Sequence, residues 1–547
     1  MANNIGVKVA SGIKWNALSI LGTRGTDFIV KLILARMLMP ESFGVVGMAL
    51  IITGFLSIFS DMGLFNALVQ KKEDKLSQVR YSSAFWYLLM LAITFVICFF
   101  SFISRLGAQF YNEPDLVPVM NALSLYLFFQ ILSIVPRVIL TKQLNFKNLV
   151  RITYMGTALS SVVAIAMAFL NFGVWSLVAK SVVGSGIVFL SYWFKVGWRP
   201  SFVFKPAVLK DLAGYSFFTQ TNAVLFYIRH NLDYLIIGKL ATTHLLGVYT
   251  LAFTLSETLR SQLYAIFNKV FFPIYSKLQD DIEKIKDYYL KVMRVTAIVT
   301  FPVSIMLIAL PKEILFVAFG EKWLEAAAPL QILAIASMIF AISGTPAEVL
   351  KSIGKVSVSF YLNITNTFLV ALPLMYFGLQ YFGLVGVASA VCIQYAVSRI
   401  TFHHFMKKYI GITDSEVLLT LKKPLLAAAI MLGVVKLVSL FQINPYVDLL
   451  KGLLAGGTVY AILLFDDLVK IYAQLTRKDI TSIKGVSYKF WKSKPFIYQG
   501  KINTYKIFPF ADQALKQAEI KGNINALQSE FWKNHIVEGK PGRWYLK

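Results

Sequence analysis

Residues 81–105 have the sequence YSSAFWYLLMLAITFVICFFSFISR, in which Arg105 is the only charged residue. A helix needs about 20 mostly apolar residues to cross the hydrocarbon core of a bilayer. A membrane barrel would instead show alternating segments of about ten residues. This stretch therefore predicts a transmembrane helix, and similar stretches recur along most of the chain.

The composition of the 547 residues agrees with a membrane protein, because 57% are hydrophobic and only 15% are charged. Soluble domains average about 25% charged residues. The net charge of +26 favours contact with anionic lipids rather than nucleic acid. Cys98 and Cys392 lie inside apolar runs and are predicted to be packing residues. The first apolar stretch carries Arg24, Asp27 and Lys31, so we do not expect a cleavable signal there.

The apolar runs predict about 14 transmembrane helices and therefore an all-α polytopic fold. The predicted spans are 12–37, 43–69, 81–105, 115–140, 149–171, 173–195, 212–237, 243–268, 290–311, 326–350, 356–379, 381–405, 422–441 and 447–469. An even number places both termini on one side. With both termini in the cytoplasm, 26 loop lysines and arginines lie inside and 5 outside, as the positive-inside rule requires. The outer connections are short, so the function is expected to reside in the helices.

Glycine and proline positions recur along the chain and predict an internal duplication. Phe43-Gly44-Val45 is matched 203 residues later by Leu246-Gly247-Val248, and Phe172-Gly173-Val174 is matched 210 residues later by Phe382-Gly383-Leu384. The alternative is chance recurrence among apolar helices. A unit of six spans keeps its orientation, so the repeats are parallel, as in transporters that bind substrate between two halves. The predicted domains are 1–200 and 201–410 for the two repeats, 411–475 for two additional helices and 476–547 for a basic cytoplasmic tail.

Ionisable residues within the predicted spans are the candidate functional residues, since each costs about 2.5–3.5 kcal/mol at the bilayer centre. The cations are Arg24, Lys31, Lys180, Arg229 and Arg260, and the acids are Asp27, Asp61, Asp233 and Glu257. Helical spacing places Arg24 with Asp27 on one face, and Arg229 with Asp233 on another. Such pairs either fix helix packing or line a cavity. For Lys31 and Lys180, a role in lining the cavity is expected. The net charge of the predicted cavity residues is slightly positive, which favours an anionic substrate.

Short motifs along the chain resemble a known transporter family. They are Ser11-Gly12-Ile13-Lys14-Trp15, Leu34-Ala35-Arg36, Phe43-Gly44, Asp61-Met62-Gly63 and Phe319-Gly320-Glu321-Lys322-Trp323. Over roughly residues 8–470 the chain is similar to the Wzx-type oligosaccharide and lipopolysaccharide flippases, notably the colanic-acid-type branch. These belong to the multidrug/oligosaccharidyl-lipid/polysaccharide exporter superfamily.

The resemblance implies two six-helix lobes forming a V around a central cavity, with two extra helices, in the bacterial inner membrane. It implies that an undecaprenyl-diphosphate-linked oligosaccharide moves from the cytoplasmic to the periplasmic leaflet. Arg24, Lys31 and Arg229 match the cations that hold the diphosphate or acidic sugars, and Asp61 and Glu257 are candidates for ion coupling. The expected partners are the lipid-linked oligosaccharide, membrane lipids and biosynthetic enzymes such as the polysaccharide polymerase and glycosyltransferases, without nucleic acid.

The sequence predicts a transporter without a cofactor or metal, because it lacks a Walker A loop, an HExxH motif and a metal-spaced Cys/His cluster. Two alternatives stay open at this point. A multidrug exporter of the same superfamily would need an acid-dominated cavity for cationic drugs. A membrane polymerase or ligase would need long outer loops with catalytic residues. The tail from 476 carries many lysines and arginines and is expected to lie on anionic lipid or to dock partners.

Overall fold

The structure is a computed structural model that describes residues 22–60, 63–71, 73–74, 76–207, 216–469, 536–540 and 543–546, without the side chains of 216–222, 259–273 and 536–546. It is helical from 22 to 469. The helices are α1 (22–37), α2 (Pro40–Ile58), α3 (Leu64–Gln70), α4 (Ser77–Cys98), α5 (Ser104–Tyr111), α6 (Leu116–Leu132), α7 (Ile134–Lys142), α8 (Phe146–Phe169), α9 (Val174–Val196), α10 (Ser216–Leu240), α11 (Thr243–Lys277), α12 (Ile282–Ala309), α13 (Pro311–Phe319), α14 (Ala327–Ala341), α15 (Pro346–Ser352), α16 (Val356–Thr365), α17 (Leu372–Ile410), α18 (Asp414–Ser439) and α19 (Pro445–Leu463).

The predicted polytopic helical fold is confirmed, since ten helical stretches of the described residues are long and apolar enough to cross a membrane. Five predicted spans account for the difference from fourteen, because three are absent from the ten stretches and two fall within one stretch. Spans 12–37 and 212–237 lie partly outside the described residues, and 243–268 includes side chains that are not described. Spans 356–379 and 381–405 lie within a single stretch from 356 to 410, although Gly383 divides that stretch into two helical parts. The count of fourteen therefore stays a prediction.

Two glycines make the same sharp turn at equivalent places in the proposed repeats. Gly383 has φ 58° and ψ −142° and divides α17 into two helical parts. Gly173 has φ 55° and ψ −126° and separates α8 from α9. Side chains with a Cβ are excluded from this backbone region, which glycine alone adopts readily. The 210-residue spacing of these glycines thus reflects a shared helical hairpin.

A helix break also recurs with the 210-residue spacing. α6 and α7 are separated at Ser133, and Pro136 follows three positions later in the first turn of α7. α14 and α15 are separated before Pro346, which begins α15. Because proline removes a helical N–H and clashes with the preceding turn, it favours an interruption at both places.

The strongest evidence for the duplication is a reciprocal contact between α2 and α11. A Cβ built on Gly44 would lie 1.8 Å from the carbonyl oxygen of Thr243, and one built on Gly247 would lie 1.9 Å from that of Pro40. Gly44 and Gly247 are 203 positions apart, and so are Pro40 and Thr243. A reciprocal contact of this kind is the mark of a twofold relation, so the two halves meet as parallel repeats. The predicted domain boundaries stay predictions.

The two additional helices, α18 and α19, are tied to the second half by a buried carboxylate. Asp467, which is 5% exposed, accepts hydrogen bonds from Arg294 of α12 at 2.7 Å and Lys423 of α18 at 2.8 Å. Met306 of α12 and Met431 of α18 share a buried apolar cluster. These contacts dock the pair of helices beside α12.

Outside the helical part of the chain, β1 (Ile536–Lys540) and β2 (Arg543–Leu546) pair as antiparallel strands in the tail. Ile536 pairs with Leu546 and Val537 with Tyr545. β-Branched and aromatic residues of these segments favour strands. The segment 511–534, predicted to have helical character, lies outside the described residues.

Candidate functional site: a cationic cavity in the first half

A cavity of about 1280 Å³ lies between α1, α2, α6, α7, α8 and α9. Its described lining runs from Lys31 and Phe43, near the predicted outer ends of their helices, to Thr141 and Phe146 at the predicted cytoplasmic ends. The second half contributes Ala223 and Thr250 to this lining. The cavity is therefore built mainly on the first half, as far as the structure describes it.

Four predicted site residues meet in this cavity. Lys180 of α9 and Asp27 of α1 form an ion pair with a nitrogen–oxygen distance of 2.9 Å, and their side chains are 18% and 35% exposed. Arg24 and Lys31 line the same cavity, and Lys31 lies within electrostatic range of Arg24, Asp27 and Lys180. In the described lining these three cations face one carboxylate, that of Asp27, which leaves a net positive charge that suits an anion.

The expected pairing of Arg24 with Asp27 is wrong, because Asp27 is bound by Lys180 instead. The spacing of three residues places Arg24 and Asp27 on one helical face, but it does not say which neighbouring helix supplies a closer charge. Packing of α1 near α9 supplies Lys180 from 153 residues away. Among the described residues, no carboxylate lies within ion-pair distance of Arg24.

The second expected pair, Arg229 with Asp233, is also wrong. Arg229 donates a hydrogen bond to the side-chain oxygen of Asn363. Asp233 is 4% exposed and accepts hydrogen bonds from the Tyr249 hydroxyl at 2.7 Å and the Tyr234 N–H at 3.0 Å. Asp233 is therefore a buried carboxyl group between α10 and α11, held by a hydroxyl and its own backbone.

Arg229 does not line the cavity with Arg24, and the repeat explains why. The 203-residue spacing places Tyr227, not Arg229, at the position equivalent to Arg24. Two residues turn an α-helix by about 200°, so Arg229 lies on the other face of α10. The expectation that these two arginines occupy equivalent positions is thus corrected.

The remaining predicted site residues are not brought to the cavity lining. Glu257 is partly buried on α11 and does not belong to the described lining. Arg260 lies on the same helix, but its side chain is outside the described residues, and Asp61 is outside them altogether. In the described ranges, no group of three or more His, Cys, Asp or Glu side chains has the arrangement of a metal site.

A polar stripe along α6 and α7 forms part of the cavity wall and was missed in the sequence. It consists of Tyr126, Gln130, Ser133, Arg137 and Thr141. These residues are spaced by three or four positions, so they share one helical face. The signal was present as a 3.6-residue period of polar residues within an apolar span. Of these five residues, Arg137 is one of the 26 cations that the positive-inside rule assigns to the cytoplasmic side.

The predicted outer end of the cavity is closed by contacts between the two halves. The Trp323 indole donates to the carbonyl oxygen of Ala35 at 2.7 Å, and the Arg36 guanidinium donates to that of Val317 at 2.6 Å. Lys322 donates to the carbonyl oxygen of Arg36 at 2.9 Å. The motifs Leu34-Ala35-Arg36 and Phe319–Trp323, which are about 290 residues apart, therefore form one closure.

His244 adds a charged contact to this closure. Its Nδ1 lies 2.7 Å from a Glu41 oxygen in the first half, and its Nε2 lies 2.9 Å from a Glu325 oxygen in the second half. Carboxylates only accept hydrogen bonds, so both ring nitrogens must carry protons to bind both partners. Glu41 and His244 are themselves 203 positions apart, which places this bridge on the axis relating the repeats.

Comparison with known proteins gives a family match over more than half of the chain. The family model described as polysaccharide biosynthesis protein matches residues 33–328. The lipopolysaccharide biosynthesis protein WzxC of Escherichia coli K12 is 25% identical over 76% of this chain and 85% of its own length. The succinoglycan biosynthesis transport protein ExoT of Rhizobium meliloti is 26% identical over 83% of this chain and 92% of its own length. The lipid II flippase MurJ in an inward closed conformation has a similar fold, with 18% identity, a TM-score of 0.64, and coverage of 84% of this chain and 100% of MurJ.

Proposed function

This chain belongs to the polysaccharide biosynthesis protein family, and we propose that it moves a lipid-linked oligosaccharide across the bacterial inner membrane. The substrate is an undecaprenyl-diphosphate-linked repeat unit of a lipopolysaccharide, capsule or exopolysaccharide. It travels from the cytoplasmic to the periplasmic leaflet by alternating access. The names of the relatives WzxC and ExoT, both polysaccharide biosynthesis proteins, support this assignment.

The observation that carries the proposal is that Arg24, Lys31 and Lys180 line a large cavity whose described wall holds one carboxylate, Asp27. Arginine and lysine bind phosphate strongly, and arginine does so through two parallel hydrogen bonds. A cationic drug would be repelled by the same cluster, which favours a lipid-linked anion over the substrates of a multidrug exporter. At about 1280 Å³, the cavity also exceeds the 300–1,000 Å³ of common small-molecule sites, which suits a sugar-bearing head group.

The membrane potential is sufficient to drive such a substrate outward. A diphosphate carries about two negative charges, and each gains about 2.3 kcal/mol per 100 mV when it moves outward across an inside-negative membrane. The remaining barrier is the removal of water from the phosphates. The cavity cations lower that barrier by replacing water as hydrogen-bond donors.

Ion coupling would act alongside the potential and involve the acidic residues of the helices. Asp27 is engaged by Lys180, so we assign it to positioning that lysine until the phosphate arrives. Asp233 is buried between α10 and α11 and is the best placed described carboxyl for binding a coupling ion. Asp61 and Glu257 stay candidates from the sequence.

Alternating access requires the outer closure to open while the cytoplasmic mouth closes. Residues 1–200 and 201–410 would rock against each other about a site near the midplane of the membrane, and the contact between α2 and α11 would open with the outer closure. Both termini are proposed to lie in the cytoplasm, where the tail would meet anionic lipid, the polymerase or glycosyltransferases. A cysteine at position 3 or 540 should be labelled from inside only; labelling by an impermeant reagent in intact cells would contradict this topology.

Deletion of the gene and complementation test the function directly. The deletion strain should lose surface polysaccharide and accumulate lipid-linked repeat units that face the cytoplasm, and the intact gene should reverse both effects. Purified chain in proteoliposomes should make a fluorescent lipid-linked oligosaccharide accessible on the opposite leaflet. Normal surface polysaccharide in the deletion strain, together with no activity in proteoliposomes, would refute the proposal.

A further inference from the structure

Arg137 has a position in the cavity that the cluster around Lys180 does not explain. It lies on α7, after the helix break at Ser133, and belongs to the cavity wall. α7 ends at Lys142 at the predicted cytoplasmic side, one turn beyond Arg137. Arg137 therefore lies near the mouth through which a substrate from the inner leaflet enters.

Two neighbouring cations at this mouth are paired with carboxylates, whereas Arg137 has no such partner among the described residues. Lys142 pairs with Glu73 at 3.0 Å, and Arg80 pairs with Asp74. Within the described part of the chain, the Arg137 guanidinium has no carboxylate partner and no hydrogen-bond acceptor. Its charge is thus available to a ligand in the cavity.

The guanidinium of Arg137 is held by an aromatic ring. Its central carbon lies 4.9 Å from the centre of the Phe65 ring, within the range of a cation–π contact. Contact with the ring leaves the N–H donors at the edge of the guanidinium free, and those donors match phosphate oxygens in pairs. Phe65 lines the cavity as well, so the platform and the cation lie together.

The cavity cations occupy successive depths. At 1.5 Å per helical residue, Arg137 lies about 30 Å along α6 and α7 from their outer end, and Arg24 lies about 20 Å from the outer end of α1. Lys31 and Lys180 lie about 9 Å from the outer ends of their helices by the same measure. The cations are therefore spaced by steps of about 10 Å from the mouth to the outer third of the membrane.

We propose that Arg137, supported by Phe65, is an entry site that binds the phosphate groups of the lipid-linked substrate before they reach Arg24 and Lys180. The inference rests on the proposed function and adds a binding site at the mouth. Successive sites allow the diphosphate to exchange water for protein donors in stages, so that it is never without a partner. A charge at the rim of a binding site acts mainly on association, so Arg137 should govern the rate of capture.

The test measures binding of farnesyl diphosphate to the full chain in nanodiscs of zwitterionic lipid. Arg137→Gln should slow association about tenfold and weaken its salt dependence, with little change in dissociation. Arg137→Lys should recover part of the rate, since the charge remains but the paired donors do not. Arg151→Gln is the matched control, because this arginine lies on α8 outside the described cavity lining and its loss should change nothing. Thermal melting of each variant verifies the fold.

Three outcomes would overturn the entry site. The first is an unchanged association rate in Arg137→Gln, and the second is an equal loss of rate in Arg151→Gln. The third is that phosphatidylglycerol in the nanodiscs abolishes association with the wild-type chain, which would assign Arg137 to bulk lipid. Glucuronate should compete weakly; competition as strong as that of pyrophosphate would assign the site to acidic sugars instead. Failure of the proposed function is a separate result. In that case the wild-type chain would show no transport in proteoliposomes, irrespective of the association rates of the Arg137 variants.

Discussion

Replacing Lys180 by glutamine should affect both stability and transport, and the second effect should persist when the first is repaired. The ion pair with Asp27 spans α9 and α1 at 2.9 Å, with side chains 18% and 35% exposed. Breaking a buried pair costs about 3–5 kcal/mol, and an exposed pair contributes about 0.2–1 kcal/mol. This half-buried pair lies between, so Lys180→Gln should lower the free energy of unfolding by about 1–3 kcal/mol.

The double variant Lys180→Gln/Asp27→Asn separates pairing from substrate binding. It leaves no unpaired charge, so it should regain most of the lost stability, measured as the melting temperature of purified protein. It should not regain transport, measured as lipid-linked oligosaccharide crossing proteoliposomes, because a phosphate-binding cation is still missing. A charge-assisted hydrogen bond contributes about 1.5–3 kcal/mol, which corresponds to a loss of about 10- to 100-fold in transport.

Arg24→Gln and Lys195→Gln complete the experiment. Arg24 has no described carboxylate partner, so its replacement should reduce transport by a similar factor with little change in melting temperature. Lys195 lies on α9 with Lys180 but outside the described cavity lining, so its replacement should alter neither quantity. Recovery of full transport in the double variant would show that Lys180 and Asp27 only fix packing, and would refute the reasoning.

Three further predictions concern other parts of the chain. Gly44→Val should prevent the outer closure, because its Cβ would overlap the carbonyl of Thr243; a cysteine crosslink between the outer ends of α2 and α11 should then form poorly, and efficient crosslinking would contradict this. Asp467→Asn should loosen α18 and α19, since it removes a buried acceptor; increased protease cleavage between α17 and α18 would be the measurement, and unchanged cleavage the contrary result. Partial burial alone would raise the pKa of Glu73, but hydrogen bonds from its neighbours, Lys142 among them, hold it below its ordinary value. Its contribution to loop stability is therefore present above about pH 4.3 and lost as the pH falls further, and Glu73→Gln should remove this dependence in hydrogen exchange of the loop.

The fold was predictable because its determinants are local. A run of about 20 apolar residues is sufficient to define a span, and the glycine and proline positions recur because each is required by a backbone feature. Gly173 and Gly383 make the same turn, and only glycine adopts that turn without strain. The resemblance to Wzx-type flippases is likewise confirmed by the family match and by the relatives WzxC and ExoT.

The site was only partly predictable because its contacts are distant in sequence. Helical spacing identified Arg24, Asp27 and Lys31 as neighbours on α1, but it could not identify Lys180 as the partner of Asp27, 153 residues away. The charge of Arg137 is evident from the sequence, yet its proposed role depends on Phe65 and on the pairing of Lys142 and Arg80 with acids. The choice of partner is decided by which helices pack together, and this information is not contained in a single helical face.

The duplication also shows how the two halves came to differ. The contacts that close the outer end keep the repeat symmetry, since Gly44 and Gly247 meet equivalent carbonyls. The cavity charges do not keep it: Arg24, Lys31, Arg137 and Lys180 have the uncharged counterparts Tyr227, Tyr234, Ala347 and Ala390 in the second half. A symmetric contact lets both halves contribute equally to the outer closure, whereas an anion needs its cations on one side if it is to stay bound while the halves move. The first half is therefore expected to carry the phosphate throughout, and the second half to alternate which end of the cavity is open.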